Sequence, residues 1–84
     1  MDTNVLSEAE NLVNGSRMDE YGDIKESFRR IARLWGGYLD IPLSSHDVAH
    51  MMILLKVSRA KNGYHHDSAV DIAGYAYCCS LLTD

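Results

Sequence analysis

Apolar residues recur along this chain at spacings of three and four, and nowhere do they alternate over the length of a strand. The pattern predicts an all-α protein, a small four-helix domain. Val5, Ala9, Leu12 and Val13 make one apolar stripe over about Asn4 to Asn14, and Gly15 is placed to close that helix. Asp23, with Glu26 three residues later, has the spacing of a capping box. It would start a second helix, about Ile24 to Tyr38, with Ile24, Phe28, Ile31, Ala32 and Trp35 among its apolar positions. Gly36-Gly37 is expected to weaken the end of that helix.

After the loop "LDIPLSS", Ser44 or Ser45 can cap a third helix that runs to about Lys61. Its apolar residues, from Val48 through Met51 and Leu54 to Val57, fall nearly all round the axis. Such a helix belongs at the centre of a fold or at a subunit interface. The tight connection "KNGYHH" leads to a fourth helix, about Asp67 to Leu82. So short a loop makes the last two helices a C-terminal antiparallel hairpin.

Length and composition bound the picture further. The 84 residues suit one domain, 1–84, with one modest core. A core that thin, with a helix apolar on several faces, predicts a homo-oligomer whose interface includes some of Met51, Met52, Leu55 and Trp35. The net charge of -4 argues against a general nucleic-acid surface. Four of the eight basic residues do lie between Lys25 and Arg33, most simply as a solvated face. The longest apolar run, "MMILL", is too short to span a bilayer. The acidic N-terminus lacks the apolar region of a signal peptide. Cys78 and Cys79 are adjacent, a spacing that strains a disulfide, and are expected as free buried thiols in a reducing cytoplasm.

Candidate chemistry gathers on the hairpin. Folding it about Gly63 brings Lys56 and Arg59 towards Asp67 and Asp71, which share a helix face at i,i+4. Two carboxylates on one face repel unless a cation lies between them, and a divalent metal, Lys56 or Arg59 can supply it. Spacing alone favours the structural reading, in which Asp67 caps the helix and Asp71 pairs with Lys56 across the hairpin. Asp47 and His50, at i,i+3, form a second pair on one face, either metal ligands or a helix N-terminal acid beside an edge histidine. His65 and His66 have no cysteine or histidine partners at zinc spacing. In "SRMDEYGD", Arg17 offers a fork for phosphate, Tyr21 a ring to stack on a base, and Gly22 a close backbone approach. Equally, Tyr21 can plug the core and Gly22 can serve a turn.

Taken together, "YGD", "IARLW", "DVAHMMILLKVSR" and "HHDSAVDIAGYAY" resemble a small phage and prophage family of unknown function over nearly the whole chain. A broader likeness is to nucleotide-modification-associated domains and to the MazG-like nucleotide pyrophosphohydrolases. That likeness implies a protein of the infected host's cytoplasm that binds a nucleotide or another phosphorylated small molecule. Arg17, Tyr21, Gly22, Lys56 and Arg59 would hold the nucleotide, and Asp47, Asp67 and Asp71 would hold Mg2+. MazG-like enzymes carry paired acidic motifs that bind magnesium and cleave a nucleoside triphosphate to monophosphate and pyrophosphate. Here the first motif would fall on Asp47-Val-Ala-His50, where histidine stands in a carboxylate's place, and the second on Asp67 to Asp71 with one extra residue. The departure leaves sequestration of a nucleotide beside hydrolysis as the expected activity. A different class of function is an acidic phage protein that binds and inhibits a host protein.

Overall fold

The computed structural model describes residues 4–15 and 23–83. These residues form four helices and no strands: α1 (Val5–Asn14), α2 (Ile24–Leu39), α3 (Ser45–Arg59) and α4 (His66–Leu81). The all-α expectation is met, and the predicted boundaries are right to within two residues. No helix among the described residues is long and apolar enough to cross a membrane.

Local chemistry explains the starts. The Asn4 side chain accepts from the Leu6 and Ser7 amides at 2.9 and 3.3 Å, and Asp23 accepts from Lys25 at 3.0 Å. The full capping box forms at α3. Ser44 Oγ accepts from the Asp47 amide at 3.1 Å, and the Asp47 carboxylate accepts from the Ser44 amide at 2.9 Å. Asp67 does not cap α4. His65 does, because the helix begins one residue early and its Nδ1 accepts from the Ser68 amide at 3.2 Å. Asp67 falls instead in the first turn, where its charge still meets the positive end of the helix dipole.

The end of α2 also departs from expectation. The helix runs through both glycines to Leu39 and stops at Asp40, in the left-handed region at φ 59, ψ 40. The Asp40 and Ile41 amides both donate to the Gly36 carbonyl. The returning chain lies over Gly36 so closely that a Cβ there would be 2.7 Å from the Ile41 carbonyl oxygen, whereas one at Gly37 would meet nothing. Gly36→Ala is therefore expected to cost about 1–3 kcal/mol by overpacking. Gly37→Ala, in an open helix position, should add about 0.5–1 kcal/mol of stability. Urea denaturation of the two variants checks the opposite signs.

Helices α3 and α4 form the expected hairpin, turned at Gly63 with φ 117. Helix α1 packs on α4, and α2 packs mainly on α3. The core gathers where the hairpin meets α1 and α2, around Val13, Phe28, Ala32, Val48, Ala49 and Cys78. Of the residues expected at an interface, Met51 and Leu55 are exposed, while Met52 lines a cavity and Trp35, partly buried, packs against the core. The inward face of α3 takes positions 48, 49, 52 and 56, which turns Met51, Leu54 and Leu55 outward.

Cys78 is buried as expected, while Cys79 is only partly so. Burial, with the neighbouring Cys79 thiol adding to it, pushes the Cys78 thiol up to about 11. At neutral pH Cys78 is expected to resist alkylation in the native state while Cys79 reacts. A folded pKa above the unfolded 9.0 gives stability that is complete below pH 9 and fades as pH rises towards about 11. Denaturation at pH 8 and pH 11, with Cys78→Ala as reference, checks this.

Candidate functional site

The hairpin does bring Lys56 to Asp71. Position 56 is in the last turn of α3, on its inward side, and position 71 opens the second turn of α4. Lys56 Nζ lies 3.0 Å from Asp71 Oδ2, and their side chains are 14% and 22% exposed. At that burial the pair is held away from most solvent screening. Arg59 is exposed and makes no ion pair among the described residues.

Asp71 also lines a cavity of about 260 Å³ whose wall draws on all four helices. Its walls are mostly apolar, with Phe28 and Ile31 from α2, Met52 from α3 and Tyr75 from α4. The Phe28 and Tyr75 rings lie 6.2 Å apart, tilted by 46°. Gly74 is buried on the same side, and a Cβ there would sit 3.6 Å from Val13. That is ordinary contact, so the close approach of α1 to α4 does not depend on a glycine at this position.

Asp67 and Asp71 share a face, as their spacing predicts, and together line a shallow depression of about 270 Å³. The third carboxylate on its rim is Glu8 of α1, which the sequence did not single out. Glu8 Oε2 lies 2.7 Å from His66 Nε2, and His66 Nδ1 lies 3.0 Å from the Tyr64 hydroxyl. A ring with Nε2–H donating to Glu8 and Nδ1 accepting from Tyr64 satisfies both contacts. His65 thus caps α4, and His66 ties it to α1.

Asp47 is not part of this end. Nine positions of α3 separate it from Lys56, about 14 Å of helix at about 1.5 Å per residue. Its carboxylate is engaged in the capping box. The proposed ligand set of Asp47, Asp67 and Asp71 is therefore not assembled, because the first acid falls at the opposite end of the hairpin. Among the described residues no three histidine, cysteine, aspartate or glutamate side chains are grouped to hold a metal ion. The residues present do not fit the magnesium centre that the MazG-like resemblance implies. Arg17, Tyr21 and Gly22 lie outside the described residues. Lys25, Arg29, Arg30 and Arg33 are exposed on α2, as a solvated face would be.

Comparison with known proteins gives the chain its kin. A family model described as a domain of unknown function, DUF6378, matches residues 4–83. The Gene 55 protein of Mycobacterium phage L5 is 54% identical over 74 residues, which cover 86% of this chain and 47% of that protein. The Gene 55 protein of Mycobacterium phage D29 is 48% identical over 83 residues, 98% of this chain and 55% of that protein. The chain thus spans about half the length of these relatives. No solved structure matches. Kinship with phage proteins bears out the narrower resemblance, and none of these descriptions names MazG or a nucleotide. With a match that runs almost from end to end, the chain belongs to the DUF6378 family.

Proposed function

We propose that this chain binds a nucleotide or a closely similar phosphorylated small molecule at the Lys56–Asp71 end of the hairpin. The observation that carries the reading is the cavity beside that ion pair. It is apolar along most of its wall, carries the Asp71 carboxylate at one place, and is near the small end of ligand pockets, about 300 Å³. A base fits against Phe28, Ile31 and Tyr75, where ring faces can meet. Asp71 accepts from an amino group of that base. Lys56, held by Asp71, and Arg59, exposed one turn away, draw the phosphates to the open side. The MazG-like resemblance of the sequence supports the same ligand class. Because the described carboxylates form no metal centre, the proposal is binding, with sequestration rather than hydrolysis as its outcome.

Thermal-shift screening of nucleoside mono-, di- and triphosphates, with and without Mg2+, tests it. Ligand at a hundred times its Kd adds about 2.7 kcal/mol to the folded state. A rise for at least one nucleotide that is lost in Phe28→Leu, a conservative change at the cavity wall, supports the site. A flat response across the panel removes it. Release of pyrophosphate in the magnesium arm would restore the hydrolytic reading.

A second reading, inhibition of a host protein, draws support from apolar side chains that point outward from α2. Leu34 is 65% exposed and Tyr38 90%. Exposed residues of this size commonly mark association surfaces.

A further inference from the structure

The outer face of α3 is unpartnered, and its charge pattern says what covers it. Positions 47, 51, 54 and 58 fall on one helical stripe, with 55 and 57 on its flanks. Met51 is 37% exposed, Leu54 67%, Leu55 50% and Val57 52%. At the N-terminal end of this apolar strip stands exposed Asp47, and just past the C-terminal end stands exposed Lys61. Acid, apolar centre and base are thus arranged about a midpoint at Leu54.

We infer that this face binds a second copy of the chain, helix α3 against helix α3, antiparallel, with the twofold axis beside Leu54. A twofold at that point sets Leu54 against Leu54 of the partner subunit. Met51 then faces Val57 of the partner subunit, His50 faces the partner's Ser58, and Asp47 faces the partner's Lys61. Every apolar residue of the strip meets an apolar one, and each acid meets a base, twice per dimer. A parallel pairing sets Asp47 against Asp47 of the partner subunit and Lys61 against the partner's Lys61, and aligns the helix dipoles unfavourably. The strip is self-complementary under only one of the two orientations, which is what an isologous interface requires. A different partner protein has no reason to need that symmetry. The surface lies opposite the face that carries Lys56, so it goes beyond the ligand site and leaves that site open.

Sedimentation velocity of the whole chain at high micromolar concentration tests the inference, with three variants beside it. The wild type is expected as a dimer. Leu54→Asp, an exposed position in the protomer, should weaken association at least about a hundredfold while leaving helical content unchanged. Lys61→Glu should weaken it about tenfold, since the pair with Asp47 occurs twice. Leu54→Cys in a Cys79→Ser background should form an intermolecular disulfide under mild oxidation, because a twofold axis brings that position to its own copy. Leu34→Cys in the same background should not. A monomeric wild type overturns the inference and leaves the strip to another partner. So does a wild-type dimer that survives Leu54→Asp, or that cross-links through position 34 and not 54.

Discussion

Phe28→Ala is expected to destabilise the protein by about 3–5 kcal/mol, the range for removing a buried aromatic side chain. For a domain this small that is a large share of a total of about 5–15 kcal/mol. The position explains the size. Helices α2 and α4 meet over only a short stretch, and the Phe28–Tyr75 ring contact at 6.2 Å is part of that meeting. Phe28 also belongs to the central cluster with Ala32, Val48 and Cys78. Truncation enlarges a cavity that already exists instead of letting neighbours collapse into the space. A drop of about 12 °C or more in Tm follows from about 3 kcal/mol in a domain of this length. A loss below about 1 kcal/mol by urea denaturation would show that α2 is held by other contacts.

The second large effect is at the ion pair. Lys56→Ala should cost about 1–3 kcal/mol, above an exposed pair and below a fully buried one. It strands the Asp71 carboxylate at 22% exposure on the wall of an apolar cavity. Asp71→Ala should cost less, because the flexible stem of Lys56 lets its ammonium swing to water. The double variant measures the coupling, expected at about 0.5–3 kcal/mol. Ligand response separates structure from function here. If the nucleotide proposal holds, the rise in Tm vanishes in Lys56→Ala beyond what the lower baseline explains. Destabilisation together with a flat wild-type response would leave Lys56 and Asp71 as a structural pair alone.

The sequence by itself determined what depends on near neighbours. All four helices are legible in their apolar periodicity, and two in their caps: Asp23 accepts an amide two residues on, and Ser44 exchanges bonds with Asp47 three residues on. The Lys56–Asp71 contact was legible too, because a short turn at Gly63 leaves antiparallel helices little choice of register. His65 displaced Asp67 as the cap because a ring nitrogen accepts an amide as a carboxylate oxygen does, a choice that composition does not reveal.

Tertiary structure alone decided which faces turn inward. Helix α3 is apolar nearly all round, so periodicity had no preferred side, and only packing against α4 and α2 put Met52 inside and Met51 outside. The Glu8–His66 contact joins residues 58 apart in sequence, and no local rule connects them. Gly36 looked like a weak helix end because the chain that returns over it, at Ile41, is set by where α3 must dock. Asp47 kept the residue types of a metal motif but lost its partners to distance, since helical rise carries it to the far end of the hairpin. Contacts within a turn are set by the chain's own geometry, whereas contacts between helices are set by which surfaces can be buried together, and that depends on all the helices at once.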